Sequence, residues 1–195
     1  MSLQSIAEEN RKPTVPISPL IYTRWSPRKM SGEKMTKEEL LPLFEAARWA
    51  PSSFNEQPWR FVVAVEEEDK KRFLDLMVEF NQKWSEKASA IVLILSKKNF
   101  THNGNANKCH TFDTGAAWMA LSLEGARRGY VVHGIAGFDY DKARQELQIP
   151  EDYEIEAMCS IGKFAEDLTV SPEMAEKPSQ RKELKEFVSW GDFKG

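Results

Sequence analysis

Chemistry in this chain of 195 residues is concentrated in a few short polar segments. Arg24-Trp25-Ser26-Pro27-Arg28 sets two guanidinium groups and a hydroxyl within five residues. If the segment is extended, side chains alternate and positions 24, 26 and 28 share one side. Two Arg forks beside a hydroxyl suit the dianion of a phosphate monoester; the plainer alternative is a basic surface patch. A second segment, residues 50–59 (APSSFNEQPW), stiffens its backbone with Pro51 and Pro58 and presents Ser52, Ser53, Asn55 and Gln57. An amide side chain both donates and accepts, so it can match the alternating edge of a heteroaromatic ring. A plain helix-to-strand connection would explain one capping serine, but not ten ordered, stiff residues ending on Trp59. Residues 134–139 (GIAGFD) carry glycines that let a backbone N–H approach a bound ring, or simply make a turn. Arg181-Lys182 adds cations in a polar tail, where a solvated charge run is the ordinary expectation.

Other chemistries lack their residues. The chain has no G-x-G-x-x-G or G-x-x-x-x-G-K-[ST] loop, no G-x-S-x-G elbow and no H-E-x-x-H. His102, His110 and His133 are not at metal-ligand spacing, and read as surface or hydrogen-bonded histidines. Cys109 and Cys159 form no C-x-x-C and are too few for a disulfide framework, so they read as reduced thiols, one of them in a strand core. Neither a metal site nor a protein nucleophile is expected. With 27 Lys+Arg against 30 Asp+Glu the net charge is −3, which argues against bulk attraction to nucleic acid. The longest apolar runs fall far short of the roughly 18–20 residues that span a bilayer. The first 18 residues lack a cationic region followed by an apolar one, so no secretory signal is read and the expected compartment is the cytoplasm.

The elements that must hold these segments follow from periodicity. Residues 1–20, broken by Pro13, Pro16 and Pro19, read as an extended arm, and 21–195 as one domain. Thr36-x-x-Glu39 is a capping box that opens a helix ending at Ala50-Pro51. Residues 61–65 and 90–95 are apolar, β-branched runs and predict buried strands. Apolar positions in 68–84 recur near helical spacing. Residues 99–108 (NFTHNGNANK) have loop composition. The helix predicted over 113–128 is apolar on more than one face, which requires a central helix or one at a subunit interface, with Gly129 as its C-cap. A short helix over 141–147 and a strand over 157–161 follow. Strands separated by helices predict a layered fold. In the tail, Leu184, Phe187, Val188 and Trp190 need something to pack on.

The order R-x-S-x-R, helix, A-P-S-S-x-N-x-Q-P-W before a strand, D-T-G-A-A opening a long helix, G-I-x-G-F-D and a C-terminal arginine resembles the nitroreductase family of flavin mononucleotide (FMN) enzymes. The likeness spans residues 20–190, and P-S-S-x-N-x-Q-P-W is its most specific string. It implies an α+β fold with a central, mostly antiparallel sheet flanked by helices, and a homodimer with two flavins at its interface. Arg24, Ser26 and Arg28 would hold the phosphate and ribityl chain, with Arg181 completing the phosphate pocket and Trp25 in the same flavin-contacting segment. Pro51, Ser52, Ser53, Asn55 and Gln57 would reach the flavin from the partner subunit, and Asn81 would bond the pyrimidine edge of the ring. The backbone at Ile135, Ala136 and Gly137 would lie over N5. The long helix would be the buried dimer core, and the tail would wrap the partner. Two departures stand out: Ala136 where many relatives carry glutamate, and Ser179 where some place lysine.

The resemblance also implies ping-pong transfer of hydride from NADH or NADPH through flavin N5 to a nitroaromatic, quinone or similar acceptor, with no catalytic side chain. Alternatives are reductive dehalogenation, oxidation of a small metabolite, or a flavin-binding regulatory module without turnover. Residues 99–108 fall in a region that varies among relatives and helps shape the substrate pocket. Of six tryptophans, Trp25 and Trp59 would lie in flavin-contacting loops, Trp118 in the interface helix and Trp190 in the tail, leaving Trp49 and Trp84 without a role.

Overall fold

The computed structural model describes residues 2–165 and 177–193. Four strands form one antiparallel sheet in the order β1 (Trp59–Ala64), β2 (Ala90–Lys97), β4 (Tyr153–Lys163), β3 (Tyr130–Ile135). The two outer strands are therefore β1 and β3. The strand β2 is apolar at successive positions because helices cover both of its faces. Ile91, Leu93 and Leu95 pack with Phe73, Met77 and Trp84 on one side. Ala90, Val92 and Ile94 pack with Leu43, Ala47 and Leu121 on the other. The first side is covered by α4 (Glu67–Leu74), α5 (Glu79–Ser85) and α7 (Tyr140–Glu146), the second by α3 (Lys37–Arg48) and α6 (His110–Arg127). The result is an α+β fold with the sheet between helical layers.

Local signals place several of these elements. Thr36 Oγ1 accepts from Glu39 N–H at 3.2 Å while Glu39 Oε2 accepts from Thr36 N–H at 2.8 Å, so α3 starts at its capping box. Gly129 follows α6 with φ +76°, the left-handed conformation glycine takes without a Cβ clash. One expectation needs correction. The segment 1–20 is not an extended arm: α1 (Leu3–Asn10) and α2 (Pro19–Thr23) occupy it. Ser2 caps α1, which buries Leu3 and Ala7. The run 68–84, apolar near helical spacing, forms two helices, parted where Met77 pairs with Phe138 across an isolated bridge. Within a single chain α6 is covered on one face only. Ala117, Leu121, Gly125 and Ala126 are buried, but Trp118, Met119, Ala120 and Leu123 are half-open and Phe112 is 81% exposed. In the tail, Leu184, Phe187 and Trp190 are exposed; residues 166–176, where the polar tail begins, lie outside the described residues.

Candidate functional site

The segment 24–28 is extended and its burial alternates: Trp25 and Pro27 are covered while Arg24, Ser26 and Arg28 are partly open. It runs beside the β3 edge, where Ser26 Oγ donates to the Val132 carbonyl at 3.4 Å and His133 Nδ1 bonds to the Pro27 carbonyl at 3.1 Å. Arg24 Nη1 donates to Ser26 Oγ at 3.1 Å, so cation and hydroxyl converge. Trp25 takes a different role from the one expected. Its ring packs on Leu3 and Ala7, with Nε1 donating to the Leu3 carbonyl at 3.0 Å, on the side away from the arginines. The same strand alternation that groups positions 24, 26 and 28 sends Trp25 into the α1 contact.

Arg11 is the residue sequence reasoning missed. It is buried, and its guanidinium donates to the carbonyls of Ser179 (3.0 Å), Tyr22 (3.0 Å) and Arg24 (2.7 Å). One side chain thus ties the tail to the start of the 24–28 segment and brings Arg181 to the cluster. Burial, then Arg181 and Arg24, pull its pKa down to about 10. Burial and Arg181 likewise lower that of Arg24. Among the described residues no carboxylate pairs with Arg11, Arg24 or Arg181. Like charges held this way make a ready anion site.

Next to the arginines, Arg28 lies over the Phe80 ring, 5.1 Å from its centre. Asn81 follows on α5 and bridges two elements. Its Nδ2 donates to the Gly137 carbonyl at 3.1 Å, and its Oδ1 accepts from Trp84 Nε1 at 3.3 Å. One amide hydrogen and one lone pair remain for another group. A Cβ at Gly137 would fall 2.7 Å from Asn81 Nδ2, so glycine is required for this approach. Trp84 packs on His133 with ring centres 4.5 Å apart. Burial lowers the His133 pKa, with Arg28 and Arg24 adding to it, so the imidazole is held neutral. Arg24, Ser26, Arg28, Asn81 and residues 135–137 therefore gather along the β3 edge.

The remaining candidates sit elsewhere. Residues 51–57 precede β1, at the opposite edge of the sheet. In them Phe54, Asn55 and Gln57 have φ of +52°, +56° and +53°, a region non-glycine residues rarely occupy. Side chains hold the strained backbone in place: Gln57 N–H donates to Ser52 Oγ at 3.0 Å, and Ser53 N–H to Asp113 Oδ2 at 2.9 Å. Asp113, the first residue of D-T-G-A-A, thus links α6 to this loop. The start of α6 is itself anchored. A shift in the β2–β4 register between Ile94 and Leu95 leaves Glu156 as the extra residue on β4. Ser96 Oγ lies 2.6 Å from His110 Nδ1 and also bonds to the Glu156 carboxylate. Neither the bulge nor this contact has a sequence signal. The loop 99–106 closes on the same side: Glu56 accepts from Thr101 N–H at 2.9 Å and from its hydroxyl. The Thr101 hydrogen bond keeps the Glu56 carboxyl below its usual range.

Of the two thiols, Cys159 is fully buried in β4 and its pKa is pushed up to about 12 by desolvation, while Cys109 is exposed. Among the described residues no group of His, Cys, Asp or Glu is placed to hold a metal ion, and no helix is long and apolar enough to cross a membrane.

Comparison with known proteins places this architecture. The major NAD(P)H-flavin oxidoreductase of Aliivibrio fischeri is 33% identical over 94 residues, 46% of this chain and 43% of that protein. The CLA biosynthesis enone reductase of Lactiplantibacillus plantarum is 24% identical over 188 residues, covering 77% of this chain and 87% of that one. A crystal structure described as an oxidoreductase containing FMN superimposes with a TM-score of 0.90 at 38% identity, over 95% of this chain and 97% of that chain. The model of the nitroreductase family matches residues 21–92 and 77–163. With the fold, the ordered motifs and most of the chain in agreement, this protein belongs to the nitroreductase family.

Proposed function

We propose that the chain is an FMN-dependent NAD(P)H oxidoreductase that works as a homodimer and reduces a nitroaromatic, quinone or related conjugated acceptor. The observation that carries this reading is the division of the candidate residues between opposite edges of one sheet. Three strand spacings, roughly 14 Å, separate β1 from β3. A phosphate-type site gathers at one edge and a strained polar loop at the other, so within a single chain the intervening strands β2 and β4 lie between them. A second copy could bring its loop to the first copy's arginine edge. The half-open apolar stripe of α6 and the exposed Phe187 and Trp190 offer surface for that contact.

The residues fit FMN. Burial and the neighbouring Arg181 lower the proton affinity of Arg11 and Arg24, which a dianion beside them would relieve. The close approach of Gly137 to Asn81 sets backbone and amide groups side by side, which suits the donor–acceptor edge of a ring. Bound FMN would supply the two-electron carrier between nicotinamide and acceptor. Arg24, Ser26, Arg28 and Arg181 would grip the phosphate and ribityl end, and Arg11 would orient them from behind. Asn81 would spend its remaining hydrogen and lone pair on the ring edge. His133, neutral and bonded to Pro27, would add no charge of its own. The residues 51–57 of the partner subunit would close the site and exclude water.

The visible spectrum of the purified protein tests the cofactor, and stopped-flow mixing with NADH and with NADPH tests the reaction and the donor. Flavin bands, or uptake of added FMN, followed by bleaching are expected. Absence of both bands and uptake would overturn the proposal. Bound flavin that neither nicotinamide reduces would favour a binding module.

A further inference from the structure

The loop before β1 holds a large ring in solvent at a conformational cost. Phe54 is 83% exposed, yet its φ of +52° lies where a side chain is disfavoured, and two neighbours share the strain. Two further rings stand against it. Phe100 meets Phe54 edge-on, with centres 5.7 Å apart and planes at 88°. His102 lies 5.3 Å from Phe100 and 6.1 Å from Phe54. The three rings come from two loops that are locked together: the Glu56 carboxylate, its side chain only 6% exposed, takes both Thr101 hydrogens and lies 3.9 Å from His102 Nδ1. The wall is therefore preorganised, not a chance of floppy loops.

We infer that Phe54, Phe100 and His102 form a recognition wall for the electron acceptor, selecting flat conjugated molecules over saturated ones of the same size and charge. The inference rests on the function proposed above, since it treats residues 51–57 as part of the site. Rings set edge-on leave a π face free for an offset or edge-to-face partner, an arrangement that a saturated ring cannot exploit. Three rings offer far less than the roughly 800 Å² per partner of a stable protein interface, so a small ligand suits the wall better than a protein does. The polar groups of Ser52, Asn55 and Gln57 on the same loop can orient an oxygen substituent.

The test uses two redox-inert probes of equal charge, 2-naphthoate and decalin-2-carboxylate, titrated by calorimetry into the full-length protein with and without added FMN. The native protein is expected to prefer naphthoate. Phe54→Leu and Phe100→Leu, which keep apolar bulk but remove the ring, should each weaken naphthoate binding by roughly 3- to 10-fold and leave decalin-2-carboxylate unchanged. Equal losses for both probes, or no loss in either variant, would overturn the inference. So would a change in sedimentation with naphthoate affinity intact, because the rings would then be a subunit contact. Failure of the protein to take up FMN counts against the proposed function. Loss of probe selectivity is read separately, in the same samples.

Discussion

The two edges of the sheet hold their functional residues in opposite ways. At the β3 edge the tension is electrostatic: Arg11, Arg24 and Arg181 crowd together with no carboxylate paired to them among the described residues, beside a His133 whose pKa burial lowers. At the β1 edge no arginines crowd in this way and the tension is in the backbone, with three left-handed residues within four positions. Electrostatic tension is relieved by an anion, whereas conformational tension persists whether or not a ligand is bound. One edge therefore reads as a grip for a charged group, and the other as a fixed wall that must already be in shape when its partner arrives.

That contrast can be broken, first at the arginine edge. Arg24→Ala or Arg28→Ala should each weaken FMN retention by roughly 10- to 100-fold, the equivalent of a charge-assisted hydrogen bond of about 1.5–3 kcal/mol. Equilibrium dialysis against free flavin measures it, and unchanged affinity in both would remove the phosphate assignment. A somewhat smaller effect is expected at Gly137→Ala. The added methyl meets Asn81 Nδ2 at 2.7 Å, and overpacking of this kind costs about 1–3 kcal/mol of stability, readable as a lower urea midpoint.

Opposite behaviour is expected across the sheet. Gln57→Gly keeps the N–H that bonds Ser52 and removes the left-handed strain, so stability should rise by up to about 1 kcal/mol. Turnover should fall in the same variant as the loop loosens; a variant both less stable and unchanged in turnover would contradict this account. The smallest effect concerns pH. Burial holds His133 below its ordinary pKa, so the folded chain takes up this proton later than the unfolded chain does as pH falls. Below about pH 6.5 the unfolded state binds more protons, and stability drops on acidification. His133→Gln should therefore flatten the slope of urea stability between pH 7.5 and 5. Parallel slopes in variant and native protein would place the titration elsewhere.

Much of the site could be read from residue types and spacing. Alternation in 24–28, the capping box at Thr36 and the apolar runs of β1 and β2 are local, governed by strand and helix geometry that neighbours along the chain determine. Arg11 was illegible because its meaning lies in three carbonyls, two of them 11 and 13 residues away and one 168 residues away. The contact of Ser96 with His110 and Glu156 depends on a single bulge in the ladder, and one extra residue on a strand leaves no mark in composition. The family resemblance puts Trp25 in a flavin-contacting loop, whereas strand alternation turns its ring to the opposite side, onto α1.

By itself, then, the sequence determined which segments could carry chemistry, the elements that bear them, and the family to which their order belongs. The tertiary structure decided how those segments are shared out. Antiparallel pairing in the order β1-β2-β4-β3 places the arginine segment and the polar loop at opposite edges. Pairing between distant strands is set by which faces bury together, a property of the whole sheet and not of any one segment.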